Sequence, residues 1–298
     1  MNILLGSENV KTSSSWLTTR DGVSLHYFEV KPDQSNLNSD RPPVILIHGW
    51  GASALAFLGL ARELGKKSFV TFVPDMRGHG FTAKTSVPTN EKKKSFLRAM
   101  VEDLDDFLIK KGIEKVIIIG FSMGGAVGQL YALKWPEKVD KLVLLSSSCR
   151  FKLPLYLKAV LYLPVPFVGV AKSQLPRYFP VFFKGLVEKN LVRYLADGFH
   201  RVNLLVFRES LKELKFFDIK ERVNELSIPI LLIAGTKDPI VNEQDMKFYT
   251  KFNQVKSVLY PGLSHLAFFE EWQTSTAILD TFLTGNEWRG DHSCLKKE

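Results

Sequence analysis

The 298-residue chain is poor in cysteine, with only Cys149 and Cys294, so no disulfide framework and no cysteine-based zinc cluster organises it. No His or Cys pair has the spacing of zinc ligands, and no glycine-rich phosphate loop is present. We therefore expect two free thiols and neither a metal nor a nucleotide cofactor.

Long hydrophobic runs are also missing. The charge-free run of the apolar middle segment, 159–171, has thirteen residues and contains Pro164 and Pro166, whereas about 20 residues are needed to span a bilayer. The first seven residues have neither the basic lead nor the longer apolar core of a secretory signal. These absences predict a cytoplasmic protein.

The chain has a net charge of +9 but lacks an arginine-rich stripe interleaved with aromatic residues, so a nucleic-acid partner is not expected. Residues 151–225 hold thirteen Lys or Arg and seven Asp or Glu, which places +6 of the +9 in this quarter of the chain. Such a basic segment is usually a solvated surface. It also fits an anionic membrane surface or an acidic carrier protein.

Predicted strands and helices alternate along most of the chain, which indicates an α/β fold with a mostly parallel sheet. A hairpin is expected across Asp21 and Gly22, between the strands 16–20 and 23–30. Apolar runs predict further strands, and 3.6-residue spacing predicts helices between them. The strands are 43–49, 69–74, 116–121, 142–145, 229–235 and 257–260; the helices are 54–64, 95–111, 123–134, 243–249 and 271–283.

This alternation stops between Ser148 and Pro229. A proline-broken apolar stretch is followed there by helical segments at 186–195, 202–216 and 219–226. We therefore predict a core of residues 1–148 and 226–298 with an inserted, mainly helical cap of residues 149–225.

A Gly-x-Ser-x-Gly turn follows an apolar β-branched strand and opens directly into a helix, with Ser122 at its centre. A strand-to-helix elbow of this kind strains the serine backbone and exposes its hydroxyl, and only small residues such as Gly120 and Gly124 avoid clashes. The amide of Met123, at the helix N-terminus, points to where an oxyanion would form. The pattern predicts that Ser122 is a nucleophile.

A serine nucleophile needs a general base, and the base needs an acceptor that orients it. Asp238 follows one predicted strand and His265 follows the last, so the order along the chain is Ser, Asp, His. Asp218 and Asp245 are the next candidates for the acid. Three other histidines are expected to be structural or solvated: His26, His200 and His292.

With these residues the chain resembles the α/β-hydrolase family, whose motif order is nucleophile elbow, acid and histidine. The resemblance implies an eight-stranded, mostly parallel sheet flanked by helices, with a helical cap. It also implies an oxyanion hole formed by the backbone amides of Trp50 and Met123, and a structural role for His79. Since the amides act, replacing the Trp50 side chain should harm activity less than replacing Ser122.

The expected function is hydrolysis of small-molecule carboxylic esters through an acyl-enzyme, with an apolar acyl or alcohol part on the substrate. The cap segment is rich in apolar side chains, which either pack the cap onto the core or receive an acyl chain. Candidate pocket residues are Trp50, Phe121, Tyr156, Phe167, Phe179, Phe182 and Leu266.

Other functions remain open on the same triad. The Gly-x-Ser-Met-Gly-Gly elbow also resembles that of hydrolases that cleave carbon-carbon bonds in diketo acids, although Leu266 stands where they have Trp. The stretch 48–51, His-Gly-Trp-Gly, resembles pimeloyl-acyl carrier methyl ester esterases, whose elbow usually has Leu in place of Met123. Thioesterase, haloperoxidase-like and perhydrolase activities use the same constellation. A catalytically silent receptor is the alternative of another class, and the complete triad argues against it.

Overall fold

A computed structural model describes residues 10–33, 40–84, 95–178, 187 and 189–286. Eight strands form one sheet in the order β1-β2-β4-β3-β5-β6-β7-β8. The first two pair antiparallel, β2 pairs antiparallel with β4, and all other pairs are parallel. The predicted mostly parallel sheet is therefore confirmed. The strands are β1 Val10–Thr18, β2 Ser24–Pro32, β3 Val44–Ile47, β4 Thr71–Pro74, β5 Val116–Phe121, β6 Val139–Leu145, β7 Ile230–Gly235 and β8 Val255–Tyr260.

The described residues contain ten α-helices. Six flank the sheet and four lie between β6 and β7. They are α1 Leu58–Lys66, α2 Phe96–Lys110, α3 Met123–Lys134, α4 Leu155–Tyr162, α5 Val165–Gln174, α6 Lys189–Arg201, α7 Leu204–Phe216, α8 Glu243–Tyr249, α9 Ala267–Glu270 and α10 Trp272–Thr284.

The central strands are buried on both faces because they are almost wholly apolar. Successive side chains point to opposite faces, so Leu46 joins the cluster with α1 and α10, while Ile45 and Ile47 join the cluster with α2 and α3. The apolar runs in the sequence predict these strands for this reason.

The helices between β6 and β7 differ from their sequence predictions, and the physical cause is local. The proline-broken stretch forms two helices, since Pro164 lies between α4 and α5 and Pro166 lies in the first turn of α5, where proline is tolerated. The Asn203 side chain accepts hydrogen bonds from the amides of residues 205 and 206, so α7 begins two residues later than expected. The segment Lys220–Glu225 is a 3₁₀ helix.

The helices of this insertion are tied to loops at the carboxyl ends of the strands. The indole N–H of Trp50 donates to the Phe207 carbonyl of α7 at 2.7 Å. The amide of Asn203 donates to the Gly78 carbonyl at 2.7 Å. No helix in the described ranges is long and apolar enough to cross a membrane.

His48 and His79 are buried next to each other, with ring centroids 5.0 Å apart. His48 Nε2 accepts the amide of Met76 at 3.1 Å, so its Nδ1–H donates to the Gly49 carbonyl at 2.8 Å. Burial lowers the pKa of His48, and burial together with His48 lowers the pKa of His79 to about 3. Both rings are therefore neutral in the folded protein.

These lowered pKa values predict that stability falls with acidification. In the unfolded chain the rings take up protons below about pH 6.5, whereas the folded protein keeps them neutral, so protons favour unfolding. The His79 ring should contribute up to about 1.4 kcal/mol per pH unit between pH 6.5 and its folded pKa of about 3, and the His48 ring acts in the same direction. His79→Asn retains a donor for the Arg77 carbonyl. It should lower the slope of unfolding free energy against pH by up to about 1.4 kcal/mol per pH unit, which corresponds to one proton. Urea unfolding at several pH values measures this slope. His200→Asn, at an exposed position, is the matched control; an unchanged slope in the His79 variant would contradict the interpretation.

Candidate active site

Ser122 lies in a strained turn between β5 and α3, with φ 52° and ψ −114°. A non-glycine residue at such a φ costs roughly 1–3 kcal/mol, which the surrounding structure must supply. A Cβ at Gly120 would overlap the backbone of Gly124, and a Cβ at Gly124 would overlap the Ile47 carbonyl. The two glycines therefore allow α3 to begin directly against β3 and β5, with Ser122 at the carboxyl edge of the sheet.

Asp238 and His265 meet at the same edge, in the loops after β7 and β8. His265 Nδ1 lies 2.7 Å from Asp238 Oδ2, and the Asp238 side chain is fully buried. The other carboxylate oxygen accepts the amides of Ile240 at 2.8 Å and Val241 at 3.0 Å. Since the carboxylate accepts, Nδ1 carries the proton, and Nε2 is left as the basic nitrogen.

The imidazole packs against the residue that precedes the serine, because the Phe121 and His265 rings have centroids 5.1 Å apart. Among the described contacts, no hydrogen bond joins Ser122 Oγ to His265. Catalytic hydrogen bonds of this kind are often long until the substrate is in place. The three predicted triad residues thus share one edge of the sheet, with the Asp–His bond formed.

Two backbone amides flank Ser122. Met123 is the first residue of α3, so its amide has no acceptor within the helix. A Cβ built on Gly49 would lie 3.4 Å from Ser122 Cβ, which places the peptide leading into Trp50 beside the elbow. In the part of the chain that the structure describes, neither the Trp50 nor the Met123 amide donates to an acceptor. These are the amides expected to form an oxyanion hole.

The candidate pocket residues are distributed unevenly. Phe121 and Leu266 are buried beside the site. Tyr156 is 60% exposed on α4, and burial together with the Asp238 carboxylate raises the pKa of its phenol. Phe167 is largely exposed on α5. Two residues, Phe179 and Phe182, lie outside the described residues.

The Trp50 side chain has a role that the sequence analysis missed. Its ring stacks on Phe207 of α7 at 4.2 Å, packs edge-on against Phe199 of α6 at 5.4 Å, and donates to the Phe207 carbonyl. The residue whose amide is expected in the oxyanion hole therefore also anchors the helical insertion through its side chain. The aromatic residues of 199–207 were the only sequence signal for this contact.

The competing acids and histidines have other partners. Asp245 pairs with Arg150, and Asp218 accepts the amide of Lys220. His26 Nδ1 lies 2.8 Å from Asp75 and its Nε2 lies 2.8 Å from Ser14 Oγ. None of these side chains contacts Ser122 or His265 in the described contacts. His200 is exposed on α6, and His292 lies outside the described residues.

Neither a reactive thiol nor a metal is indicated in the described residues. Burial raises the pKa of Cys149 to about 12, so its thiol stays protonated. Cys294 lies outside the described ranges. No cluster of three His, Cys, Asp or Glu side chains that could hold a metal ion occurs in those ranges.

Comparison with known proteins identifies the family. The profile of the alpha/beta hydrolase fold matches residues 42–271. The chain belongs to this family. It spans 29% of the length of three uncharacterized mycobacterial proteins, at 32% identity over 107 residues.

Relatives that match over more of the chain have a lower sequence identity. The chain is 24% identical to Lipase 1 of Psychrobacter immobilis over 262 residues, covering 85% of this chain and 78% of that protein. It is also 24% identical to the pimeloyl-[acyl-carrier protein] methyl ester esterase of Legionella pneumophila, covering 81% of this chain and 95% of the relative. An esterase structure from Exiguobacterium antarcticum superposes with a TM-score of 0.74 at 17% identity, covering 91% of this chain and all of that one. The structural likeness shows the fold, and the relatives support a hydrolase.

Trp50 anchors α7 through its side chain, whereas its expected contact with the oxyanion is made by its backbone amide. Replacing the Trp50 side chain should therefore affect stability more than turnover. Trp50→Phe keeps an aromatic ring against Phe207 but removes the indole hydrogen bond, which should cost about 0.5–1.5 kcal/mol of unfolding free energy. Trp50→Ala should cost about 3–5 kcal/mol because the packing is lost as well. Turnover per folded molecule should fall far less in Trp50→Phe than in Ser122→Ala, since the backbone amide remains.

Urea unfolding and ester turnover of the same preparations test this prediction. Phe248→Ala, on α8 and away from the site, is the control for loss of an aromatic side chain. Equal unfolding free energies for the wild-type and Trp50→Ala proteins would contradict the anchoring role.

Proposed function

We propose that this protein is a serine hydrolase of carboxylic esters that acts through an acyl-enzyme on Ser122. The observation that carries the proposal is the 2.7 Å bond between His265 and the buried Asp238, at the sheet edge where Ser122 lies in its strained elbow. A base with a fixed tautomer beside an activated hydroxyl is the arrangement that acyl transfer requires.

In the acylation step, His265 Nε2 accepts the proton of the Ser122 hydroxyl as Oγ attacks the ester carbonyl carbon. The carbonyl oxygen becomes an oxyanion, which accepts hydrogen bonds from the Trp50 and Met123 amides. The tetrahedral intermediate collapses when the imidazolium returns the proton to the departing alkoxide. The alcohol leaves, and the acyl group stays on Ser122.

Deacylation repeats these steps with water as the nucleophile. His265 takes a proton from the water as its oxygen attacks the acyl carbon. When the second tetrahedral intermediate collapses, the bond from the acyl carbon to Ser122 Oγ breaks, the imidazolium returns the proton to Oγ, and the carboxylic acid leaves. Asp238 keeps its charge throughout and stabilises the imidazolium that forms in each half-reaction. Its two backbone amide bonds hold the carboxylate in place for this task.

The substrate is proposed to have an apolar acyl or alcohol part. Phe121 and Leu266 are apolar side chains buried at the site, and the Leu153, Leu157 and Leu211 cluster of the insertion packs against Trp50. Such surroundings favour an apolar group next to the reacting carbonyl. A cytoplasmic location, and the division into a core of residues 1–148 and 226–298 with a cap of residues 149–225, stay predictions.

The triad assignment predicts the effects of three substitutions. Ser122→Ala should lower turnover of a p-nitrophenyl ester by about 10⁶-fold, because the nucleophile is lost. Asp238→Asn should lower it by about 10⁴-fold, because the amide favours the wrong imidazole tautomer. Asp245→Asn is the matched control, since Asp245 pairs with Arg150, and it should keep turnover near that of the unmodified protein.

Labelling with a fluorophosphonate probe separates the enzyme from a silent receptor on the same fold. We expect rapid labelling of the unmodified protein and none of the folded Ser122→Ala variant. Full turnover in Ser122→Ala would overturn the mechanism, and an unlabelled but folded unmodified protein would favour the receptor.

Graded substrates test the acyl preference and the alternative chemistries. With p-nitrophenyl acetate, butyrate, octanoate and palmitate, kcat/KM should rise beyond acetate, because the apolar surroundings bind the methylene groups. A thioester and a diketo acid measured in parallel distinguish ester hydrolysis from thioesterase and carbon-carbon bond cleavage. A rate on acetate far above that on octanoate would mean that the apolar side chains only pack the insertion onto the core.

A further inference from the structure

Exposed apolar side chains are concentrated on the helices between β6 and β7. Nine large apolar side chains of the described residues are exposed over more than half of their surface, and seven of them belong to α4, α5 and α7. One of these seven, Tyr156, is a candidate pocket residue. The other six define what we call the outer cap face: Leu155, Tyr162, Phe167, Val170, Leu205 and Phe216.

Helix α4 is apolar on two opposite sides. Leu157 is buried and packs with Leu211 of α7. Leu155 and Tyr162 are seven residues apart, which places them on one side of the helix, and they are 83% and 75% exposed. A helix that buries one apolar side and presents a second to solvent is typical of a surface that meets another apolar phase.

Contacts join the three helices into one surface. The Lys215 ammonium of α7 lies 3.2 Å from the Tyr162 hydroxyl of α4 and 5.1 Å from the centre of the Phe216 ring. At the other end of α7, Leu204 lies next to Gly169 of α5. Helix α7 is therefore in contact with α4 at its end and with α5 at its start.

The charge of this face has one dominant sign. Residues 155–174 contain Lys158 and Lys172 and no acidic residue. On α7, Glu213 turns toward the start of α2, where it accepts hydrogen bonds from the Ser95 hydroxyl and the Phe96 amide. Glu209, the other acidic residue of α7, lies 4.0 Å from Lys212. The apolar side chains thus have lysines among them, and both acidic side chains of α7 have partners.

The outer cap face also adjoins the site. Tyr156 is on the first turn of α4, next to the exposed Leu155, and the Asp238 carboxylate contributes to the raised pKa of its phenol. The cluster that Leu157 of α4 forms with Leu153 and Leu211 packs against Trp50 and Ile240. A surface that covers the exposed side of α4 would therefore lie across this helix from the loops that hold Trp50 and Asp238.

We propose that the outer cap face is a docking surface for an anionic lipid bilayer. Aliphatic and aromatic side chains enter the boundary between headgroups and acyl chains, and lysines around them attract anionic headgroups. An acidic protein partner would need mainly charged contacts, whereas six large apolar side chains dominate this face. Docking itself is independent of the proposed ester chemistry, while delivery of an apolar ester from the bilayer to Ser122 rests on it.

Vesicle sedimentation of the full chain in its Ser122→Ala form tests docking without catalysis. We expect binding to vesicles of phosphatidylcholine with 30% phosphatidylglycerol, and binding at least about tenfold weaker to pure phosphatidylcholine or when salt rises from 50 to 500 mM. In the double variant Leu155→Asp with Phe216→Ser, the partition coefficient should also fall at least about tenfold. Aspartate is acceptable at position 155 because it is the first residue of α4, where a negative charge is favourable.

Ile109→Asp is the matched control, because Ile109 is 56% exposed on α2, outside the cap. It should bind vesicles like the parent protein. Both sets of substitutions are also made in the protein that retains Ser122. These variants should hydrolyse soluble p-nitrophenyl acetate at the rate of the unmodified protein, which shows that their fold is retained.

Equal vesicle binding by the cap variant and its parent would overturn the proposal, as would no vesicle binding at all. A concentration-dependent dimer in light scattering that the cap substitutions abolish would assign the face to a second copy of the chain. Binding to an acidic acyl carrier protein instead of vesicles would assign it to a protein partner. If vesicles bind but no ester is hydrolysed, docking stands and the proposed function fails.

Discussion

The site depends on how closely α3 approaches β3 and β5. A side chain at Gly124 would overlap the Ile47 carbonyl, and one at Gly120 would overlap the start of α3, so only glycine permits this packing. The approach forces Ser122 into a positive φ and leaves the Met123 amide without an internal acceptor. Strain and an unpaired amide are costs to folding that the fully buried strands on either side can offset.

The rest of the site follows from the parallel arrangement of the strands, whose carboxyl ends lie along one edge. The loops after β7 and β8 bring Asp238 to His265, and the loop after β3 brings Trp50 beside the elbow. Buried hydrogen bonds connect the loops at this edge. Asp75 accepts hydrogen bonds from the amides of Ala54 and Phe81 and from His26, which links three separate segments beneath the site. These hydrogen bonds give a structural role to Asp75 and His26, which are buried and polar but do not contact Ser122 in the described contacts.

Prediction from the sequence was strongest where local pattern and tertiary packing agree. Strands that are buried on both faces read as apolar runs, and α3 was predicted with its observed bounds because the elbow defines its start. It was weaker in the insertion. Pro164 and Pro166 were interpreted as breaking an apolar stretch, whereas one separates two helices and the other lies in a first turn, where a missing N–H costs nothing. Whether such short helices form depends on packing against neighbours, which no local pattern contains.

By itself the sequence determined the α/β fold and the likeness to its family. It also determined the order of Ser122, Asp238 and His265, because strand burial, glycine at tight contacts and reactive side chains each leave a signal at their own positions. Only the tertiary structure decided that the Trp50 side chain anchors α7 from a loop beside the elbow, and that α4 is apolar on both its buried and its exposed sides. The reason is that these features join residues far apart in the chain, and the direction in which a side chain points is settled by its neighbours.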